Sequence, residues 1–247
     1  MCLSRRVLLA APAILSLAAT RPATASDAPV EPRMRLANPA PDRLAVALTL
    51  DACPGGFDER IATGLVESGI AATIFVTNSW LKRNRAALAF LMAHPDLFGI
   101  ENHGDQHLAP ILGHGSVFGV AAAGDLAAVQ REVTDGAGAI AAATGTAPRW
   151  YRGAAGYYTP SAMPAIQQLG FGIAAYSLNS DMGASLPADG VANRIAGAAN
   201  GDVIVAHFNQ PDRSSGLGVI AGARKLQSRG ASFLRLDRLA ATEVTYV

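Results

Sequence analysis

Leu44-Ala-Val-Ala-Leu-Thr-Leu50, followed by Asp51, is the stretch that decides the fold. A nearly unbroken apolar run of this length is typical of a strand that is covered on both faces of a parallel sheet. Four other strand-like runs end before a residue suited to catalysis or metal binding: 97–102 before His103, 149–151 before Arg152, 171–178 before Asn179 and 203–206 before His207. Because parallel strands in a β/α architecture end on one face, we expect these five polar residues to meet in one cleft.

From residue 43 onward the chain alternates between strand-like and helix-like segments. The predicted strands cover 44–51, 72–77, 97–103, 149–152, 171–179, 202–208 and 232–237, and the predicted helices cover 58–68, 84–93, 125–144, 161–169, 190–199 and 216–229. This alternation predicts an α/β fold with a parallel sheet and right-handed crossovers. A barrel of seven β/α units is the favoured form, and a doubly wound open sheet is the alternative. The glycine-rich stretch 108–124 is predicted to be a long irregular loop, and such loops beside a site are often functional.

The bulk composition indicates one large globular domain. Half of the 247 residues are apolar and only 16% are charged, so the chain can bury a sizeable core. The formal net charge is +1, and the sequence has no basic stripe. Nucleic acid is therefore not an expected partner.

Residues 1–25 are predicted to be a signal peptide. Arg5 and Arg6 precede an apolar segment over 7–19, and Ala23-Thr-Ala25 is a small-residue cleavage site. The apolar segment is too short to span a bilayer comfortably, so we expect no transmembrane segment in the mature chain. The arginine pair resembles a twin-arginine export signal, and an ordinary secretory signal is the alternative.

The signal peptide predicts that the mature protein is periplasmic or secreted. Residues 26–42 carry four prolines and are predicted to be a flexible lead-in, which leaves 43–247 as the functional domain. After cleavage Cys53 would be the only cysteine, so no internal disulfide is expected.

His103-Gly-Asp-Gln-His107 is the sharpest local motif. Two histidines four residues apart would lie on one face of a helical turn, where they could hold one metal ion. Two ordinary surface or capping histidines are the alternative. Their position at a strand end favours a metal site, and Zn²⁺ is the expected divalent ion because imidazole and water suit it.

The other residues at strand ends have side chains that are suited to act as an acid, as a base and as their hydrogen-bonding partners. A partly buried Asp51 needs a partner, which Arg152 can supply, and the pair would keep the carboxylate ionised; a purely structural ion pair is the alternative. The environment of His207 is expected to be apolar on the side of the strand and open toward the cleft, which suits an acid or base with a shifted pKa. A core histidine with its hydrogen bonds satisfied is the alternative.

Four residues near these ends are secondary candidates. Asn179 and Asp181 end a neighbouring strand and could orient the His207 imidazole. Asn209 is predicted either to bind substrate or to cap the turn before Pro211. Cys53 is predicted to be a small core residue, with thiolate ligation of a metal as the alternative.

These residues, in this order, resemble the polysaccharide deacetylase family (the NodB homology domain, carbohydrate esterase family 4). The stretch 47–51 with Pro54 is similar to the first motif, usually T-F-D-D-G-P, and 100–107 is similar to the second, usually N-H-[ST]-x-x-H. Tyr151-Arg152, 176–181 and 201–207 are similar to the third, fourth and fifth motifs. The resemblance covers about Leu44 to Leu236.

The resemblance implies a distorted seven-unit (β/α) barrel and a metal-dependent hydrolase that removes acyl groups, usually N-acetyl groups, from a carbohydrate substrate. Carried over to this chain, it implies that Asp51 is the general base and that His207 is the general acid. It further implies that His103 and His107 are metal ligands and that Arg152 holds Asp51.

The sequence departs from the family pattern at four places. The second aspartate, a metal ligand, is Ala52; the Ser/Thr of the second motif is Gly104; and the aspartate of the fourth motif is Asn179, with Asp181 as a shifted substitute. The proline-aromatic pair after Arg152 is replaced by 153–156. A site with two histidines needs a further ligand or more waters, so the third ligand stays open. The predicted function is an exported metal-dependent deacetylase; an esterase or small-amide hydrolase and a non-catalytic sugar-binding protein are the alternatives.

Overall fold

The computed structural model describes residues 28–39 and 43–247. The predicted signal peptide lies outside the described residues. The strands are β1 Met34–Leu36, β2 Ala45–Ala52, β3 Ala72–Val76, β4 Phe98–Asn102, β5 Ala109–Leu112, β6 Ser116–Val117, β7 Val120–Gly124, β8 Trp150–Tyr151, β9 Gly172–Ile173, β10 Leu178–Asn179, β11 Val203–His207, β12 Ser232–Phe233 and β13 Val244–Tyr246. The α-helices are α1 Glu59–Ser68, α2 Asn78–Arg83, α3 Arg85–Met92, α4 Leu126–Thr144, α5 Ala162–Gln168, α6 Ala188–Ala196 and α7 Ser215–Ser228.

Seven parallel strands form one curled sheet in the order β10-β11-β2-β3-β4-β8-β9. β12 adds a short parallel pairing at the start of β2. Among the described residues β9 and β10 form no ladder, so the sheet is a half-barrel that stays open between its two edge strands. The predicted α/β class and distorted seven-strand barrel are therefore confirmed.

Strand register brings the predicted site residues together at the carboxyl edge of the sheet. His207 of β11 lies beside Asp51 of β2, and Asn102, immediately before His103, lies beside Tyr151, immediately before Arg152. Residues that are about 150 positions apart in the sequence thus become neighbours.

Alternation along β2 separates the core from the interior of the barrel. Leu48, Leu50 and Ala52 pack in the apolar cluster that includes helix residues such as Leu65 of α1. Thr49 and Asp51 face the other side, where both bond to Arg152. The two-sided burial explains why the strand is apolar apart from its inward polar residues.

The helices begin and end largely where the sequence predicts. The side chain of Asp58 accepts a hydrogen bond from Arg60 N at the start of α1, and Gly69 ends the helix in the left-handed conformation with a φ of 62°. The structure adds the short helix α2, capped by Thr77, where the sequence predicted no element. Among the described residues, no helix is both long and apolar enough to cross a membrane.

The predicted strand 171–179 is split into β9 and β10, and the reason is Arg152. Its Nε donates to Ala174 O at 3.0 Å, and its Nη2 donates to Ala175 O at 3.3 Å. These carbonyls bond to a guanidinium instead of a neighbouring strand. The buried arginine therefore links the segment between β9 and β10 to Thr49 and Asp51 of β2.

Two further segments are more ordered than predicted. The stretch 108–124 is not irregular, because it contains the three-stranded sheet β5-β7-β6. Within the predicted lead-in, β1 pairs antiparallel with β13, and Val30 forms a bridge with Tyr158. The described part of 26–42 is thus packed against the domain.

Candidate active site

Asp51 and Arg152 form a buried ion pair at the base of the cleft. Arg152 Nη1 donates to Asp51 Oδ1 at 2.7 Å and to Thr49 Oγ1 at 2.8 Å. The guanidinium also lies 4.2 Å from the centre of the Phe75 ring. Burial opposes ionisation of Asp51, but the charges of Arg152 and His103 outweigh it and hold the pKa of the carboxyl below its ordinary value. The predicted pairing is confirmed, and its result is an ionised carboxylate.

His103 is held with one ring nitrogen toward the cleft. Its Nδ1 lies 2.8 Å from the Arg152 carbonyl oxygen, which can only accept, so Nδ1 must be the protonated nitrogen. When the ring is neutral, Nε2 carries the lone pair, and this atom lies 3.9 Å from Asp51 Oδ2. A backbone carbonyl behind a histidine is the usual support of a metal-ligating imidazole.

His107 reaches the same place through a loop, not through the predicted helical turn. Residues 103–108 form no helix, and His107 has a left-handed φ of 67°. The centres of the His103 and His107 rings are nevertheless 5.0 Å apart. Nε2 of His107 is buried without a hydrogen-bond partner, so it is a donor atom available to a metal ion.

Glu132 of α4 shapes this loop, and none of the sequence motifs includes this residue. The buried carboxylate accepts hydrogen bonds from the backbone N–H groups of Gln106 and Leu108. A Cβ on Gly104 would lie 2.2 Å from Glu132 Oε1, which explains the glycine at the position where the family has Ser or Thr. The missed signal is a glutamate within the buried stripe of α4, beside Val129 and Val133.

Cys53 lines the cleft and is not a core residue, which corrects the favoured sequence prediction. Its Sγ lies 3.4 Å from His103 Nε2. Burial opposes ionisation of the thiol, but the charge of His103 and the hydrogen bond with that residue hold the pKa of Cys53 well below the ordinary value. The ligand atoms of Cys53, His103 and His107 all lie within 4.8 Å of one another, which fits a shared metal ion.

His207 is oriented by Asp181. Its Nδ1 lies 2.9 Å from Asp181 Oδ1, and Asp181 is fully buried. Burial lowers the pKa of His207, but the bond to Asp181 outweighs this effect and raises the pKa well above its ordinary value. Nε2 is thereby left for the cleft, which His207 lines.

The two asparagines have different places. Asn179 lines the cleft, but its Oδ1 accepts from Met182 N at 2.9 Å, so the prediction that it orients His207 is wrong. Asn209 is buried, and its Nδ2 donates to Pro54 O at 3.2 Å. Asn209 thus supports the loop that follows Cys53.

The cleft has a volume of about 490 Å³, which is the size of a small-molecule site. Its rim carries two large apolar side chains at positive φ: Phe118 is 82% exposed with a φ of 51°, and Met182 is 51% exposed with a φ of 51°. Phe118 packs edge-on against Tyr157, with ring centres 5.6 Å apart. Glu31 and Arg33, from the segment before β1, complete the rim.

The family model described as polysaccharide deacetylase matches residues 38–174, more than half of the chain. This chain belongs to the polysaccharide deacetylase family. The match includes Asp51, His103, His107 and Arg152 and ends before His207. No curated protein is significantly similar in sequence to this family member.

Solved structures share the fold. A peptidoglycan N-acetylglucosamine deacetylase is 19% identical with a TM-score of 0.65, over 80% of this chain and 88% of that one. A family 4 carbohydrate esterase from Streptomyces lividans is 21% identical with a TM-score of 0.61, over 77% and 91%. A family 4 pseudoenzyme from Bacillus anthracis is 19% identical with a TM-score of 0.63, over 79% and 65%. The family fold therefore occurs both in deacetylases and in a pseudoenzyme.

Proposed function

We propose that this protein is an exported, metal-dependent deacetylase that hydrolyses an N-acetyl group of a carbohydrate. The observation that carries the proposal is the meeting, in one cleft, of an ionised carboxylate with three metal-donor side chains and an oriented histidine. His103 and His107 would hold the metal ion, and Zn²⁺ is the ion that we expect. A bound divalent ion supplies polarisation of the acyl carbonyl and a lower pKa for water.

Asp51 acts as the general base. Its Oδ1 is bonded to Arg152, which fixes the carboxylate and leaves Oδ2 on the side of His103. A water placed there gives a proton to Oδ2 as its oxygen attacks the acyl carbon. The lowered pKa of Asp51 keeps it in the ionised form that this step requires.

His207 acts as the general acid. Hydrolysis of an amide breaks the C–N bond, and the departing amine nitrogen needs a proton. The bond from Nδ1 to Asp181 keeps His207 protonated and directs Nε2 toward the cleft. The proton passes from Nε2 to the amine, and acetate is the other product.

A carbohydrate is the substrate class that the family and the rim support. A sugar ring presents an apolar face of C–H groups, and aromatic side chains are suited to pack against such a face. Phe118 and Gly119 form a two-residue turn in which both φ angles are positive, a position that usually takes Asn or Gly. The Phe118 ring at that position is exposed, so it is available to a ligand.

The sequence also predicts export, and we retain it as part of the proposal. Arg5, Arg6 and Ala23-Thr-Ala25 support a cleavable signal that delivers the protein to the periplasm or the medium. N-terminal sequencing of the native protein should find a start near Ser26. A native chain that keeps residues before 20 contradicts the cleavage site.

The proposed function is tested with the His103→Ala variant and a matched control, His114→Ala, because His114 is exposed and lies outside the donor cluster. His103→Ala should lose bound metal and acetate release from N-acetylated chito-oligosaccharides together, whereas His114→Ala should keep both. Equal metal content in His103→Ala and the parent contradicts the metal site. Cleavage of acetate esters alone favours an esterase, and glycan binding without acetate release favours a sugar-binding protein.

A further inference from the structure

We propose that the Cys53 thiolate is the third protein ligand of the metal site, in place of the carboxylate that Ala52 lacks. The inference rests on the metal site of the proposed function, but not on its chemistry. It assigns this chain a Cys-His-His donor set built from Cys53, His103 and His107.

The spacing of the donor atoms supports a shared ion. A tetrahedral zinc site has Zn–S near 2.3 Å and Zn–N near 2.0–2.1 Å, which places sulfur and nitrogen about 3.5 Å apart. The observed separation between Cys53 Sγ and His103 Nε2 is 3.4 Å. His107 Nε2, buried and without a hydrogen-bond partner, is the second and independent indication that a ligand belongs between these groups.

The places of the two side chains explain why the ligand is residue 53 and not residue 52. The Ala52 side chain is fully buried and belongs to the apolar cluster behind the sheet. Cys53, one residue later, returns to the side of Asp51 and lines the cleft. A carboxylate at position 52 would enter an apolar core in this backbone, which carries a large desolvation cost.

The loop after Cys53 is clamped, so the thiol is held in place. Asn209 Nδ2 donates to Pro54 O, and Gly56 N donates to Asn209 O at 3.1 Å. A Cβ on Gly55 would lie 2.8 Å from Asn209 O, so the loop can approach this closely only with glycine. Asn209 is thus a positioning residue for the Cys53 loop.

A thiolate ligand changes which ions the site prefers. Soft sulfur with two imidazoles favours Zn²⁺ and Co²⁺, whereas carboxylate and water favour Mg²⁺, Ca²⁺ and Mn²⁺. We therefore expect Zn²⁺ to bind far more tightly than Mg²⁺ or Mn²⁺.

The experiment uses the full chain with Cys2→Ser, so that Cys53 is the only thiol. Loaded with Co²⁺, this protein should show a thiolate-to-cobalt charge-transfer band in the near ultraviolet. Cys53→Ser should lose the band and bind Zn²⁺ more weakly by at least about 100-fold, since loss of outer-shell partners alone costs about 10–100-fold. Cys53→Asp should keep one metal ion per chain without the band, because a carboxylate can also ligate.

Alkylation of the thiol provides a second readout on the unsubstituted Cys53. Saturating Zn²⁺ should protect Cys53 from iodoacetamide, and a chelator should restore the reaction. The inference is overturned if Cys53→Ser leaves the cobalt spectrum and the Zn²⁺ affinity unchanged. It is also overturned if Zn²⁺ does not change the rate of alkylation. These readouts do not use catalysis, so a Cys53-ligated protein that releases no acetate contradicts the proposed function and leaves the ligand assignment standing.

Discussion

Replacing Asp51 with asparagine separates the role of its charge from the role of its packing. The Asp51→Asn variant keeps the shape of the side chain but cannot take a proton. Removal of a general base lowers kcat by about 10²–10⁴-fold. We expect a loss of this size in acetate release from an N-acetylated chito-oligosaccharide.

The effect on stability should be modest, because Arg152 keeps other partners. Breaking a buried ion pair typically costs about 3–5 kcal/mol. After the substitution the guanidinium still donates to Thr49 Oγ1, Ala174 O and Ala175 O, and the asparagine amide oxygen can accept from it. We therefore expect a loss of about 1.5–3 kcal/mol in the free energy of unfolding, the scale of one hydrogen bond to a charged group.

The assay combines acetate release with chemical denaturation, and Asp58→Asn is the matched control. Asp58 is also a buried aspartate paired with an arginine, Arg60, but it caps α1 and does not line the cleft. Asp58→Asn should keep the helix cap, because asparagine and aspartate cap helices about equally well. It should lose at most about 1 kcal/mol of stability with the partly exposed Arg60 pair and keep the parental kcat. If folded Asp51→Asn hydrolyses the amide at the parental rate, Asp51 is not the base.

Three further perturbations test other parts of the structure. Asp181→Asn should shift the alkaline limb of the pH–rate profile to lower pH, because Asp181 raises the pKa of His207. The variant should also slow the hydrolysis of amides more than that of activated esters, and an alkaline limb that does not move contradicts this role of Asp181. Phe118→Ala should raise KM for chito-oligosaccharides about 2–12-fold, because a stacking contact contributes about 0.5–1.5 kcal/mol. The control is Leu217→Ala, which changes an exposed side chain outside the cleft lining and should leave KM unchanged. Equal KM values for the two variants exclude the stacking role. Burial raises the pKa of Glu101 from 4.5 to about 8. Between pH 4.5 and about pH 8 the folded chain therefore keeps a proton on Glu101 that the unfolded chain has lost, so the free energy of unfolding should fall as pH rises. Glu101→Gln should remove up to about 1.4 kcal/mol per pH unit from that slope in denaturation curves, and an unchanged slope contradicts the assignment.

The sequence predicts best what depends on strand position. The apolar run before Asp51 implies a buried parallel strand, and a charge at its end implies a partner, so the pairing with Arg152 could be anticipated. The same reasoning predicts that His103 and His207 lie at the same edge of the sheet. It also found Asp181, although it could not separate the role of Asp181 from that of Asn179.

What the sequence could not predict depends on loop conformation. The spacing of His103 and His107 suggests a helical turn, but Glu132, supplied by a helix 25 residues further along, holds a non-helical loop through its backbone N–H groups. Such a contact leaves no local pattern. Cys53 follows the end of β2, where alternation alone does not say whether the side chain faces the core or the cleft.

Acetate release as a function of added Zn²⁺ tests the central claim most directly. Protein stripped of metal with a chelator should release no acetate from an N-acetylated chito-oligosaccharide. Release should rise in proportion to added Zn²⁺ and level off at one equivalent per chain. Acetate release that is unaffected by stripping, or the absence of release at every Zn²⁺ level, contradicts a metal-dependent deacetylase.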